Sequence, residues 1–301
     1  MDRQTGVADV SHVWPADLPA QWPHRAASCR VHAGGLAWHV QIFGAVGAHP
    51  DVVLLHGAGA SAHSWRALAP LLAVDRRVIV PDLPGQGWTQ RPPNAGGLSL
   101  PGMAGLLGAL LKALGGGRVS LVGHSAGAAV AARMALDGCA QADRVLGING
   151  AWLPPAGQGR WFYEPLARVL SLDPMLPHLL AWSARRRRAV ERLVASTGSR
   201  LDEEGLACYA QLVGRSAHVS AVMAMMAAWD LRPLLADLGR LAVPLRLLAT
   251  EGDRTVPARA SEVASLKAPD ARLERWSDLG HLAHEEAPAR VLAWMRGHLP
   301  G

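Results

Sequence analysis

Two kinds of apolar pattern alternate along this chain. Short continuous apolar runs read as buried strands at Asp51–Leu55, covered on both faces, Arg118–Val122 and Asp143–Asn149, and further strands are read at Arg77–Val80, Val243–Thr250 and near Arg272–Trp276. Between them the spacing predicts helices. Ser64 reads as the cap of one running to Leu72, and another spans Leu100 to Leu114, closed by Gly115-Gly116-Gly117. Further helices are expected over Ala128–Ala135, Arg259–Leu266 and Pro288–His298. The alternating runs Cys29–Ala33 and Leu36–Ile42 flank Gly34-Gly35, a hairpin signal. Strand followed by helix, repeated, predicts a mostly parallel eight-stranded sheet with helices on both faces.

The rhythm breaks once. From 151 to 238 the runs are helical in tone, over Trp161–Leu172, Pro177–Arg188, Glu203–Val213 and Ala217–Trp229. This stretch reads as a helical cap inserted into a core formed by 29–150 and 239–301. Residues 1–28, with Pro15, Pro19 and Pro23, read as an arm on the surface, anchored by Trp14 and Trp22.

Composition narrows the class without naming a chemistry. Half of the 301 residues are hydrophobic, enough for a sizeable core. The net charge of +6 is mild and dispersed, which argues against nucleic-acid binding but allows contact with an anionic membrane surface. The exception is Arg185-Arg186-Arg187-Arg188, which reads as a solvated helix end. Cys29, Cys139 and Cys208 are far apart and show no metal or CxxC spacing, so reduced thiols and a cytoplasmic location are expected. No secretory leader is read at the N-terminus, and no apolar run is long enough for a membrane span. The thirteen histidines are scattered, and neither a metal nor a cofactor is expected.

The chemistry lies past the carboxyl ends of the strands, where open α/β sheets bind ligands. Gly123-His124-Ser125-Ala126-Gly127 joins an apolar strand to a helix. In a chain with 32 glycines this pentapeptide arises by chance roughly 0.2 times, so its partners decide its meaning. A serine hydroxyl needs a base to take its proton, and the base needs an acid to hold one tautomer. Asp253 follows the strand ending at Thr250, and His281 follows the strand ending at Trp276. Ser125 is therefore the candidate nucleophile, His281 the base and Asp253 the acid. The N–H groups of Ala58 and Ala126 are the candidate oxyanion donors. His56, Gly57, His124 and Trp152 are placed around the substrate pocket. Other readings stay open at this point: Asp253 as a turn cap, His284 as a competing base, and His56 and Asp82 as braces of their own loops.

From about Trp22 onward the chain resembles the α/β-hydrolase superfamily, whose nucleophile elbow has the G-x-S-x-G form between strand and helix. Within it, the chain looks like the magnesium-chelatase accessory family of bacteriochlorophyll biosynthesis. That resemblance rests on Trp22-Pro23-His24-Arg25-Ala26-Ala27-Ser28, Trp38-His39-Val40-Gln41, His63-Ser64-Trp65-Arg66 and Pro81-Asp82-Leu83-Pro84-Gly85-Gln86-Gly87. It continues through Ser99-Leu100-Pro101-Gly102-Met103, the elbow, and Asn149-Gly150-Ala151-Trp152-Leu153-Pro154. Gln86 departs from the pattern, since related hydrolases usually carry His there. The resemblance implies a role beside magnesium insertion into a porphyrin, with a tetrapyrrole-like molecule or chelatase subunits as partners. It does not supply a reaction. A serine hydrolase acting on an ester or similar acyl bond of a bulky apolar substrate is expected. The alternatives are a non-catalytic tetrapyrrole-binding or chelatase-chaperone module, and a general carboxylesterase.

Overall fold

The computed structural model describes residues 17–154 and 187–301. The arm before residue 17, with Trp14 and Pro15, lies outside them. So do the helix expected over 161–172 and most of that expected over 177–188.

The strands are β1 (Ser28–Ala33), β2 (Leu36–Phe43), β3 (Asp51–Leu55), β4 (Val78–Pro81), β5 (Arg118–His124), β6 (Gln141–Ile148), β7 (Leu245–Thr250) and β8 (Ala271–Trp276). They form one eight-stranded sheet in the order β1-β2-β4-β3-β5-β6-β7-β8. Only the β1/β2 and β2/β4 pairs are antiparallel; the others are parallel. The hairpin turns on Gly34 and Gly35 at φ 58° and 77°, the positive values its tight turn requires.

Among the described residues the helices of six or more residues are α1 (Leu100–Ala113), α2 (Ala126–Leu136), α3 (Arg187–Ser196), α4 (Glu203–Val213), α5 (Ser216–Ala228), α6 (Arg232–Asp237), α7 (Arg259–Lys267) and α8 (Pro288–His298). Ser99 caps α1 by accepting the Gly102 N–H at 3.2 Å. All five residues of β3 are buried, as strands covered on both faces must be. One core packs α1, α2 and α7 on one face through Leu107, Val130 and Ala264. The other packs α8 on the opposite face through Trp65, Ile148 and Met295. Each fully buried aliphatic side chain contributes roughly 1.5–3 kcal/mol, so these two layers hold the sheet edge rigid.

Three expectations change. The helix from Ser64 to Leu72 is a 3-10 turn, Ala62–Trp65, followed by a single helical turn, Ala69–Leu72. Pro70 has no N–H to offer the Arg66 carbonyl, and His24 Nε2 donates to that carbonyl instead, at 2.8 Å. Ser64 therefore caps nothing; its hydroxyl turns inward to His284 and Glu285. Second, α3 shares only Arg187 and Arg188 with the helix expected over 177–188 and runs on to Ser196, and α6 lies where no helix was expected. Third, β7 begins at Leu245, directly after Pro244, whose ring cannot donate to the ladder.

Trp22 is buried against Trp88, with ring centroids 4.4 Å apart. Arg188, from the arginine run, is exposed; Arg185 and Arg186 lie outside the described residues. Among the described residues, no single helix is long and apolar enough to cross a membrane. The three cysteines are free thiols, and burial pushes Cys29 up to about 11 and Cys208 up to about 12.

Candidate active site

Ser125 sits between β5 and α2 at φ 52°, ψ −117°, a strained backbone for a residue with a side chain. Two close approaches force this shape. A Cβ at Gly123 would lie 2.3 Å from the Ala128 nitrogen, and one at Gly127 would lie 2.1 Å from the Leu55 carbonyl oxygen. Only glycine lets α2 start this tightly against the end of β3. The Ser125 N–H donates to the Ile148 carbonyl, and its own carbonyl accepts from the Ala128 and Ala151 N–H groups. The hydroxyl thus stands clear on a fixed base.

His281 Nε2 is 3.0 Å from Ser125 Oγ, and His281 Nδ1 is 2.6 Å from Asp253 Oδ2. A carboxylate accepts only, so Nδ1 carries the proton and Nε2 is free to accept from the serine. The other oxygen, Asp253 Oδ1, accepts the Thr255 N–H at 2.7 Å and the Val256 N–H at 2.9 Å. Asp253 therefore caps its own turn and orients His281 at once. The His281 carbonyl accepts from His124 Nε2 (2.8 Å) and Asn149 Nδ2 (2.9 Å). Asn149 itself adopts φ 47° at the end of β6 to reach it.

His284 does not compete for Ser125. Its Nε2 lies 2.7 Å from Ser64 Oγ, and burial, followed by the nearby His281 and Arg66 charges, lowers it to about 3. The His124 ring lies between the two, 4.6 Å from His281 and 4.3 Å from His284, and burial holds it well below the usual range. Beside them Glu285, with a fully buried side chain, binds Ser64, Tyr209 and Arg66. Arg66 continues to Asp202, at the start of α4. Sequence reading missed this network. Its parts are far apart in the chain, and no local spacing announces it.

The Gly57–Ala60 loop faces the elbow. A Cβ at Gly57 would lie 2.8 Å from His124 Nδ1 and 3.1 Å from Ser125 Cβ. Ala58 is exposed, whereas Ala126 is the first residue of α2, where the N–H has no intrahelical acceptor. Gly59 is clamped from both sides: its N–H donates to Gln86 Oε1 (2.9 Å), and His218 Nε2 donates to its carbonyl (3.2 Å). Gln86 Nε2 reaches Met225 Sδ of α5 at 3.2 Å.

Three of the residues placed around the pocket line no free surface. His56 is fully buried with both ring nitrogens engaged, donating to the Gly57 carbonyl and accepting the Leu83 N–H. Trp152 is fully buried in the core, its ring packed where a Cβ of Gly147 or Gly150 would stand. His124 is 2% exposed and braces His281. Asp82 is fully buried and ties its loop to His39, the Ala62 N–H and the Trp88 N–H. Among the described residues, no group of three or more His, Cys, Asp or Glu is arranged to hold a metal ion.

A mostly parallel sheet, a strained serine between strand and helix, and an aspartate and a histidine past the ends of the last two strands define an α/β-hydrolase. The chain belongs to the α/β-hydrolase family, whose sequence model matches residues 52–294. It is a homologue of the magnesium-chelatase 30 kDa subunit of Rhodobacter capsulatus, 39% identical over 287 residues, covering 94% of this chain and 99% of that protein. It is also 32% identical over 247 residues to a pimeloyl-[acyl-carrier protein] methyl ester esterase of Aromatoleum aromaticum, covering 79% and 94% of the two chains. Among solved structures, an α/β-hydrolase fold protein from Burkholderia ambifaria superimposes with TM-score 0.71 at 26% identity, over 88% of this chain and 96% of that one.

Proposed function

We propose that this chain is a serine hydrolase for an ester or similar acyl bond in a bulky apolar substrate. We place it beside magnesium chelatase in bacteriochlorophyll biosynthesis, in the cytoplasm. The observation that carries the hydrolase reading is the hydrogen-bonded chain from Ser125 through His281 to Asp253. Ser125 Oγ attacks the acyl carbon while His281 Nε2 takes its proton, and Asp253 stabilises the imidazolium. The Ala126 and Ala58 N–H groups meet the oxyanion of the tetrahedral intermediate. His281 then gives the proton to the leaving alkoxide, and water repeats the sequence to free the acid. In this reading the described part of the stretch between β6 and β7, residues 187–238, belongs to the cap over this site, and the substrate lies between it and the elbow.

The placement in the pathway rests on the homologue named as a magnesium-chelatase subunit. The esterase relative, named for a methyl ester, supports the ester chemistry. A tetrapyrrole-like ester suits both. The test is fluorophosphonate labelling of purified protein, with turnover of porphyrin methyl esters. Wild type is labelled and turns over; Ser125→Ala does neither. Labelling that persists in Ser125→Ala removes the nucleophile assignment, and equal turnover of unrelated small esters favours a general carboxylesterase.

A second reading has one observation behind it. The relative matched over nearly the whole chain carries a chelatase name, and metal insertion needs no acyl-enzyme. In that reading the chain binds a tetrapyrrole or chaperones the chelatase without catalysis. Full pigment synthesis by a strain carrying only Ser125→Ala would favour it.

A further inference from the structure

We infer that Thr197-Gly198-Ser199, directly after α3, is a positioning strut that sets the separation of Asp253 and His281. The inference rests on the triad reading above for its consequence in catalysis, and on geometry alone for its existence. The Thr197 carbonyl accepts two N–H groups, from Arg254 at 3.1 Å and from His281 at 3.3 Å. One oxygen thus joins the residue after the acid to the base itself. Two residues on, Ser199 Oγ accepts the Leu282 N–H at 2.8 Å. The segment continues into a tie from the Arg200 N–H to Glu286 Oε2 at 3.2 Å.

Between these bonds the backbones touch. A Cβ at Gly198 would lie 2.0 Å from the Gly252 oxygen, and one at Gly280 would lie 2.4 Å from the Gly198 carbonyl carbon. Gly198 adopts φ 86°, which a side chain would strain as well. Gly198, Gly252 and Gly280 therefore form a junction without side chains, one residue before the acid on one side and one before the base on the other. The rest of the His281 peptide is already held, its carbonyl by His124 and Asn149. Only the N–H side depends on the strut. Ser199 is 1% exposed, so water cannot replace it.

The strut leads back into α3, whose Val190 and Val194 pack with Ala60, Tyr209 and Leu282. The stretch between β6 and β7 thus reaches the acid loop and the base loop through backbone bonds.

The experiment compares wild type, Gly198→Ala, Ser199→Ala and, as a control, the exposed Ser196→Ala. Two quantities are read: the rate of fluorophosphonate labelling, and the far-downfield proton resonance of His281 Nδ1–H, assigned by its loss in His281→Ala. Gly198→Ala is expected to slow labelling roughly 100-fold by displacing the acid loop. Ser199→Ala is expected to slow it about tenfold, for one lost hydrogen bond. Both shift or broaden the resonance while circular dichroism stays native, and Ser196→Ala changes neither. If Gly198→Ala fails to fold, Ser199→Ala carries the test. An unchanged resonance with unchanged labelling in the folded strut variants overturns the proposal. If wild type is never labelled but the resonance responds to the strut variants, the strut stands and the hydrolase reading falls.

Discussion

Asp253 Oδ2 takes the proton-bearing side of His281, 2.6 Å from Nδ1, while Asp253 Oδ1 is occupied by the N–H groups of Thr255 and Val256. The carboxylate cannot rotate, so His281 has a single usable tautomer. In Asp253→Asn the Oδ1 position keeps its two backbone donors and an amide N–H faces His281. The imidazole then moves its proton to Nε2, and Ser125 loses its acceptor. Labelling is expected to slow roughly 10,000-fold with little change in the fold. A slowing of less than about tenfold would show that another group orients the base.

Arg66 and Glu285 form the next testable relationship. Their side chains are 9% and 0% exposed, and Arg66 Nη1 donates to Glu285 Oε2 at 2.7 Å. Burial pushes Glu285 up from the usual carboxylate range, and Arg66, Ser64 and Tyr209 pull against it. In Arg66→Met the carboxylate stays buried without its cation, a loss of about 3–5 kcal/mol. A raised carboxyl takes up a proton on folding, so its cost is fully present above its folded value and is lost as pH falls through that value to the ordinary carboxylate range. The Arg66→Met deficit is therefore largest at neutral pH and smaller near about pH 5. Urea unfolding at the two pH values measures it; a deficit that grows on acidification contradicts the account.

Why some of this was legible in the chain, and some was not, follows from which groups do the work. β3 and β5 announced themselves through Val52–Leu55 and through Val119, Leu121 and Val122, because strands covered on both faces are rich in apolar residues. Ser125, Asp253 and His281 stood out because acyl chemistry admits few residue types, and the fold puts them after strands. α3 was obscured: among residues 188–196 it buries only Val190 and Val194, and Leu193 between them is 53% exposed. His56 and Trp152 lie at the expected edge, but chain position does not say which way a ring points. The Thr197 bonds use a backbone carbonyl, which every residue has, so no residue type could mark them.

Asp82 predicts a separate acid dependence. Burial alone would raise this fully buried carboxyl. The charge interaction and hydrogen bond with His39, then His56 and the Ala62 N–H, outweigh that and hold it at about 2, against an ordinary 3.8. A depressed carboxyl gives stability that is fully present above its unfolded value and is lost as pH falls through its folded one. Between 3.8 and about 2, wild type should thus lose about 2 kcal/mol through this group. Asp82→Asn removes that contribution. It should be much less stable than wild type at neutral pH, and the gap should narrow by that amount at about pH 2. Denaturant midpoints at both pH values decide; a constant gap assigns the acid sensitivity elsewhere.

Gln86 has two side-chain partners in the structure. Its Oε1 accepts the Gly59 N–H at 2.9 Å, and its Nε2 reaches Met225 on α5 at 3.2 Å. His218, also on α5, accepts the Gly87 N–H and donates to the Gly59 carbonyl. Gly59 follows Ala58, the proposed oxyanion donor, so any freedom at Gly59 becomes freedom in the direction of the Ala58 N–H. Gln86→Leu fills similar space and removes the acceptor. The unpaired Gly59 N–H should cost about 1–3 kcal/mol of stability. The misaimed donor should lower kcat by roughly 100-fold on any ester the wild type turns over, with KM little changed, since the oxyanion exists only in the transition state. Steady-state kinetics separate the two parameters. A rise in KM with kcat intact would mean that Gln86 shapes the substrate site through α5 and leaves the oxyanion loop as it was.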